Sequence, residues 1–508
     1  MIGKEGHWKL RSRGRNGVFG RGSGSIMRRR QVARTDRLIN PVDGPLSRSC
    51  YAPGMTGLID ALRSGAWVSR ERMRLIAGMV LAAALIGAIF LVATSDGLND
   101  RFGRPLGTDF SNVYAAGTYV LDGQPTVPFD PARQYAREQA IFGAATPFYG
   151  WHYPPFFLGL ATVLALMPYG LALAVWQGVT FALYLLAVRA ALFPPPLKGQ
   201  AVLAGSAKTD GAAFHAGTKL PPAQLRWPSS PASGGGINSL WLLLAAAYPA
   251  VFVNLGHGHN GFLTAALLAA ALIQLDRRPI LAGILFACLA YKPQFGMLIP
   301  LALAASGRWR VFFAATATVA VMALAVTLAF GADVWSAFFA SMHFTRVVVL
   351  EQGNTGWQKI QSVFSVVRMW GGGVPLAYAL QGAVTLCVAV AIAWLWRSRA
   401  AFPLKAAALA IGSILATPYS LDYDLMLIAP AIAFLAADGL ARGFAPYEKS
   451  ALAFLWIVPL VARSIAQVTL IPLAVPAMIF AFALVLHRAM IETGAGHTRW
   501  RFALRALK

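Results

Sequence analysis

Apolar and polar positions in this chain fall into blocks, and long apolar runs recur from about residue 75 onward. A helix needs about 20 apolar residues to cross a bilayer, and fewer where it is short or broken. We therefore predict an all-α polytopic membrane protein. The pattern predicts twelve spans, at about residues 75–94, 170–192, 238–255, 260–275, 279–291, 293–306, 311–331, 373–396, 404–416, 424–437, 450–466 and 472–487.

The loops between these runs predict the topology. Segment 155–167 is apolar but ends at Pro168, and we expect it to lie at the membrane surface. Counting it as a span would move the basic pairs after later spans to the outside, whereas Lys and Arg favour the inner side. With both termini cytosolic, the sequence predicts a first outer loop carrying surface helices, an inner loop and a second outer loop, at residues 95–169, 193–237 and 332–372.

Two basic segments flank the transmembrane domain, which we place at residues 74–490. Residues 1–73 are rich in Arg, Gly and Ser and show no apolar periodicity, which is typical of a disordered cytosolic tail. Translation that starts at Met55 or Met73 is an alternative explanation of this segment. Residues 491–508 are predicted to form a basic cytosolic C-terminal tail.

Composition supports the membrane assignment and excludes some functions. Of the 508 residues, 57% are hydrophobic and 13% charged, against about 25% charged in soluble domains. The net charge of +24 does not indicate nucleic-acid binding, because the basic residues lie in the tail and the inner loops, where they set membrane orientation. Three cysteines, two of them in apolar runs, imply no disulfide framework. The chain has no Gly-rich phosphate loop, so an activated donor would have to be carried by lipid rather than by a nucleotide.

The first outer loop opens with the polar sequence Gly107-Thr108-Asp109-Phe110-Ser111-Asn112. Asp109 comes directly after the first span and its short polar linker, and we predict that it is the general base of a sugar transferase. The alternative is that Asp109 only caps the helix that begins near Phe110, because Asp is a favoured N-cap residue.

Further polar residues cluster at the predicted outer ends of the spans, where polar groups are costly and mark function. Lys292 interrupts an apolar hairpin, so it either contacts a phosphate or extends to the membrane interface. His257 and His259 are two residues apart and do not share a helix face, so their spacing does not favour a metal site. His343 and Arg346 have helical spacing and face either one anion or solvent.

Several short motifs, in this order, resemble glycosyltransferase family 87, which contains polyprenol-phosphate-mannose-dependent mannosyltransferases of the GT-C superfamily. They are Thr108-Asp109-Phe110, Tyr114-Ala115-Ala116-Gly117, Tyr153-Pro154-Pro155, Gly258-His259-Asn260, Lys292-Pro293 and Pro418-Tyr419-Ser420 through Tyr423. His259 stands where the family usually has Gln. The resemblance covers about residues 75–490.

The resemblance implies a GT-C-type fold, a polyprenyl-phosphate sugar donor, inversion at the anomeric carbon and Asp109 as the base. A phosphodiester leaving group needs its growing negative charge neutralised, and our candidate ligands for that phosphate are Lys292, Arg346, His257 and His259. Sugar or acceptor contacts are expected from Tyr114, His152, Tyr153, Asn260, His343, Tyr419 and Asp422. Asp422 and Asp424 could instead cap the helix that follows them. We expect no metal and no other cofactor.

The sequence therefore predicts an enzyme of the cell's inner, cytoplasmic membrane that works on the outer face. It would move a sugar, mannose in the first instance, from a polyprenyl phosphate to an acceptor glycan or glycolipid. One alternative is transfer of another lipid-linked sugar, such as glucose, arabinofuranose or an amino sugar. Another is a transporter or flippase for lipid-linked glycans, but transporters show internal repeats and midplane charges, and here the polar clusters gather on one side.

Overall fold

The structure, a computed structural model, describes residues 55–193 and 235–494 of the chain. Within these residues the regular structure is helical, and the extended pairings are isolated bridges such as Ile360 with Leu421. The all-α prediction is therefore confirmed. Residues 1–54, most of the inner loop 193–237 and most of the tail 491–508 lie outside the described residues.

Twenty α-helices follow one another along the described residues. Residues 55–193 contain α1 (Met55–Ser64), α2 (Arg70–Ala93), α3 (Thr108–Leu121), α4 (Pro131–Phe142), α5 (Leu158–Ala165) and α6 (Tyr169–Leu192). Residues 235–494 contain α7 (Gly235–Ala246), α8 (Pro249–His257), α9 (Gly261–Gln274), α10 (Pro279–Ala287), α11 (Pro293–Gly296), α12 (Leu298–Ala305), α13 (Trp309–Phe330), α14 (Asp333–Phe344), α15 (Val363–Met369), α16 (Val374–Arg397), α17 (Phe402–Leu415), α18 (Ile428–Arg442), α19 (Glu448–Thr469) and α20 (Ala474–Glu492). Tighter or wider helical turns occupy Val127–Phe129, Pro155–Phe157, Cys288–Tyr291, Thr345–Glu351, Trp357–Lys359 and Asp422–Leu427.

Seven helical segments of the described chain are long and apolar enough to cross a membrane, and the bent pair α7–α8 makes an eighth if it counts as one span. All twelve predicted spans fall on helix, so their positions agree with the structure, but the count of twelve is not reached by length. Eight of the predicted spans correspond to the long segments, with the bent pair counted as one, and the other four coincide with apolar helices of 10–17 residues. At about 1.5 Å per residue such helices are shorter than the ~30 Å hydrocarbon core.

The short apolar helix α17 packs inside the protein, whereas the long helices α2 and α13 lie at its periphery. Helix α17 is buried along almost its whole length. In contrast, only 6% of the apolar window of α2 is buried, and side chains such as Leu75 and Ile86 are exposed. An apolar surface of this kind suits contact with lipid, and a helix enclosed by other helices need not match the bilayer thickness.

Helix α1 differs from the expectation of a disordered tail over residues 1–73. Leu58, Ile59 and Leu62 have the i, i+1, i+4 spacing of one helix face, but the run is too short to stand out from its basic surroundings. The helix is held on the first turn of α19, where the Ser450 hydroxyl donates to the carbonyl of Leu62 at 2.7 Å. The Tyr447 amide donates to the carbonyl of Arg63 at 2.8 Å.

The loop of residues 95–169 is built around close packing of α3 on α5. At Gly117 of α3, a Cβ atom would lie only 2.1 Å from the backbone oxygen of Ala161, so only glycine allows this approach. The start of α3 is fixed by Gly107, whose φ of +71° is left-handed and favours glycine. The Tyr169 hydroxyl also donates to the carbonyl of Leu106 at 2.5 Å. These contacts set where residue 109 projects.

Candidate active site

Asp109 is the second residue of α3, and its side chain is 20% exposed. Gly107 occupies the N-cap position, so the capping alternative for Asp109 does not apply. Its carboxylate accepts no hydrogen bond from the residues that the structure describes. Burial raises the pKa of the Asp109 carboxyl above its ordinary value of 3.8. Four titratable side chains also act on that pKa: His257, Lys359 and Lys292 lower it, and Asp422 raises it.

His257 is the nearest of these groups to Asp109. Its Nδ1 atom lies 2.7 Å from the Thr108 hydroxyl and 3.9 Å from Asp109 Oδ1. Helix α8 ends at His257, and the next residue, Gly258, turns the chain in the left-handed region with φ +65°. The Trp176 indole of α6 donates to the carbonyl of Gly258 at 3.0 Å. The loop of residues 95–169 and the end of α8 are thus brought together at Asp109.

His259 lies deeper than His257 and is 3% exposed. Its ring stacks on Tyr423 with 3.5 Å between centroids, and its Nε2 atom lies 3.2 Å from the Tyr153 hydroxyl. Burial and the charge of Lys292 hold the pKa of His259 well below its ordinary value. The ring is therefore neutral, and it joins the Tyr153 and Tyr423 segments instead of presenting a charge.

Lys292 forms a buried ion pair with Asp424. Its Nζ atom lies 2.6 Å from Asp424 Oδ1, and the two side chains are 6% and 2% exposed. The other carboxylate oxygen of Asp424 accepts from the Leu421 amide at 2.9 Å. Because the ammonium is buried, it does not extend to the membrane interface, and that alternative is excluded. Its charge is already balanced by Asp424, so a phosphate at Lys292 would meet a neutral pair.

Asp422 lies two residues before Asp424 and pairs with Arg463 of α19 at 3.4 Å. The turn that carries it is joined to the loop of residues 332–372 by the Ile360–Leu421 bridge. Two further bonds at Ser420 tie the same segments together: its carbonyl accepts from the Gln361 amide at 2.7 Å, and its hydroxyl donates to the Gln361 carbonyl at 3.1 Å. Lys359 immediately precedes this join.

Three other predicted contacts lie at or near this centre. Asn260 is 2% exposed, and both atoms of its side-chain amide are buried without a partner within the described residues. A buried unpaired amide costs about 1–3 kcal/mol, which favours a ligand partner. Burial and the carboxylates of Asp424 and Asp109 raise the pKa of Tyr419. Tyr153 touches the centre through His259.

Four predicted residues lie elsewhere. The Tyr114 hydroxyl donates to the Met167 carbonyl at 3.0 Å and so fastens α3 to the end of α5. His152 Nδ1 lies 2.9 Å from the Thr345 hydroxyl, and burial lowers the pKa of His152 to about 4. His343 and Arg346 are exposed. The nearest acid to Arg346 is Glu351, at 3.6 Å. None of the four contacts Asp109 in the described part of the chain.

Lys359 and Arg463 also belong to this centre, and sequence reasoning did not place them among the site residues. They are 104 positions apart by their numbers, and no motif marks either one. They meet because the loop of residues 332–372 pairs with the 417–424 turn and the Trp357–Lys359 turn packs on α19. No group of three or more His, Cys, Asp or Glu suited to a metal ion occurs in the residues described.

These features define a multi-pass helical membrane protein with a carboxylate-centred polar site between its loops. The model of glycosyltransferase family 87 matches residues 151–418, which is more than half of the chain. The chain therefore belongs to glycosyltransferase family 87. No curated protein and no solved structure matched it in the corresponding comparisons. The matched stretch includes His257, His259 and Lys292 but not Asp109 or Arg463, whose roles are argued from geometry.

Proposed function

We propose that this family 87 glycosyltransferase moves a sugar, mannose in the first instance, from a polyprenyl phosphate to an acceptor glycan or glycolipid. The observation that carries the proposal is the Asp109 carboxylate: partly exposed, free of hydrogen bonds within the described residues and set where four segments converge. Membership of a glycosyltransferase family favours sugar transfer over transport of lipid-linked glycans, the alternative considered from the sequence. We propose the outer face of the cytoplasmic membrane as the place of reaction, with both termini cytosolic and without a metal or other cofactor.

Asp109 acts as the general base in this mechanism. As the acceptor hydroxyl attacks the anomeric carbon, its proton passes to an Asp109 oxygen and the bond from that carbon to the phosphate oxygen breaks. The electron pair of the broken bond leaves with the phosphate. A carboxyl whose pKa is raised by burial is a stronger base than one in bulk water. Attack from the side opposite the leaving group inverts the anomeric configuration.

Thr108 and His257 hold the base in place. The Nδ1 atom of His257 lies 2.7 Å from the Thr108 hydroxyl and 3.9 Å from Asp109 Oδ1. At that distance the histidine orients the carboxylate electrostatically, without forming a direct hydrogen bond. The Asn260 amide and the Tyr419 hydroxyl are the proposed contacts for sugar or acceptor hydroxyls.

Transfer by the purified protein tests the proposal. Detergent-solubilised protein is given radiolabelled mannose on a polyprenyl phosphate or on GDP, with an extract of cell-envelope glycolipids as acceptor. We expect labelled product from the lipid donor alone, with inverted anomeric configuration by NMR. Matched lipid donors carrying glucose or arabinofuranose report the sugar preference. Efficient transfer from GDP-mannose would contradict the proposed donor class.

A further inference from the structure

Lys359 is a half-buried cation without a counter-ion of its own. It ends the Trp357–Lys359 turn and precedes the Ile360–Leu421 bridge, which fixes it beside the 417–424 turn. Across the described residues its ammonium makes no hydrogen bond and no ion pair. Burial and the nearby charge of Arg463 lower the pKa of Lys359, whereas Asp422 and Asp109 raise it. Even half-buried, an ammonium without a partner is costly, which favours an anionic ligand at this position.

Arg463 approaches the same position from α19. Its side chain is 40% exposed, and its contact with Asp422 is a single one of 3.4 Å. Most of the five N–H donors of the guanidinium therefore stay available, and a guanidinium binds phosphate through two parallel bonds. Two cations here share one carboxylate, Asp422, so these three side chains carry a net positive charge. Lys359 is also close enough to Asp109 to lower the pKa of that carboxyl.

The cations predicted from the sequence are less suited to this task. Lys292 is neutralised by Asp424 in a buried pair, and the His259 ring is neutral. Arg346 is 59% exposed and has no contact with the centre among the residues described. A phosphate that gains charge as it leaves would find two cations, Lys359 and Arg463, that share the single carboxylate of Asp422.

We propose that Lys359 and Arg463 bind the phosphate of the lipid-linked donor and stabilise it as it leaves, an inference that rests on the proposed function. The donor phosphodiester carries one negative charge. When its bond to the anomeric carbon breaks, the electron pair stays on the phosphate oxygen, and the product monoester carries one charge more. The two cations neutralise that added charge while Asp109 takes the acceptor proton.

Product inhibition tests this site directly. Full-length protein in nanodiscs is assayed with undecaprenyl phosphate as inhibitor, and with undecaprenol, inorganic phosphate and phosphatidylglycerol as separate arms. We expect Lys359→Met and Arg463→Met each to weaken inhibition by undecaprenyl phosphate by about tenfold or more, and Lys359→Arg to restore most of it. The matched control variant, Arg346→Met, should be inhibited by undecaprenyl phosphate as strongly as the wild-type protein is. Inhibition by undecaprenol should be weak and equal in all variants.

Several outcomes would overturn the site. The site would be overturned if both Met variants melted like wild type and kept its inhibition constant for undecaprenyl phosphate. It would also be overturned if the Met variants lost inhibition by undecaprenol as much as inhibition by undecaprenyl phosphate. Inorganic phosphate or phosphatidylglycerol as potent as undecaprenyl phosphate would show a general anion or headgroup site instead. A wild-type protein that is insensitive to undecaprenyl phosphate and inactive with a lipid donor would reject the proposed donor class itself, and this site with it.

Discussion

The buried pair of Lys292 and Asp424 can be tested by a double-mutant cycle. Lys292→Met leaves a carboxylate that is 2% exposed without its counter-ion, and breaking a buried pair in this way typically costs about 3–5 kcal/mol. Asp424→Asn keeps an oxygen that accepts from the Leu421 amide but leaves the ammonium uncompensated. The double variant leaves no buried charge, so we expect a coupling energy of about 2–3 kcal/mol.

The assay is unfolding of the purified protein in detergent, followed together with transfer activity. A more exposed pair, Arg308 with Asp276 at 3.0 Å, provides the matched control, because its side chains are 24% and 58% exposed. The cycle of Arg308→Met and Asp276→Asn should couple by no more than about 1 kcal/mol. In the buried cycle, we expect the double variant to melt closer to wild type than either single variant does.

Transfer activity separates two roles of Lys292. If the lysine compensates Asp424 and so holds the 421–424 turn, the double variant should regain much of the activity that Lys292→Met loses. If Lys292 instead binds the donor phosphate, as its position in the sequence suggested, the double variant should stay as slow as Lys292→Met. Strictly additive stability changes in the cycle of Lys292 and Asp424 would show that the two side chains do not stabilise each other.

Three further predictions concern pH and packing. Asp109 must be ionised to act as a base, and burial and Asp422 raise its pKa, so kcat/KM should fall as the pH falls through that raised pKa. Asp422→Asn should move this acid limb of the pH profile to lower pH, and an unmoved limb would contradict the prediction. Burial raises the pKa of Glu138 from 4.5 to about 7, so the folded protein keeps a proton that the unfolded chain loses. The free energy of unfolding should therefore decrease by up to ~3 kcal/mol as the pH rises from 4.5 to about 7. In melting experiments, Glu138→Gln should abolish this dependence on pH. Gly117→Ala should lower the melting midpoint markedly, whereas Gly159→Ala, where a Cβ meets open space, should leave it nearly unchanged.

The positions of the apolar segments could be read from the sequence because a hydrophobic run marks a helix in lipid whatever its partners are. Their number as full spans could not, because length depends on whether a helix such as α17 is surrounded by protein or by lipid. Helix α1 was missed because ten residues among basic neighbours give a weak periodic signal. Its stability comes from contacts with α19, which are far away in sequence.

The candidate site shows the same division. Asp109 could be selected from the sequence because it lies in a local motif after the first span, and Asn260 and Tyr419 belong to similar motifs. The partners of Lys292 and Arg463 could not be selected, because Asp424 and Asp422 meet them only through tertiary packing. Sequence alone shows that a cation is present but does not show whether a neighbouring carboxylate already neutralises it.

The most direct test of the account is the turnover of Asp109→Asn in purified form, beside Asp130→Asn. Asp130 lies in the same loop, where its carboxylate caps α4 through the amides of Ala132 and Arg133, so it controls for loss of a loop carboxylate. We expect Asp109→Asn to melt like wild type, to bind undecaprenyl phosphate normally and to lose transfer by at least about a thousandfold, while Asp130→Asn stays active. Near-wild-type turnover by Asp109→Asn would contradict the assignment of Asp109 as the base.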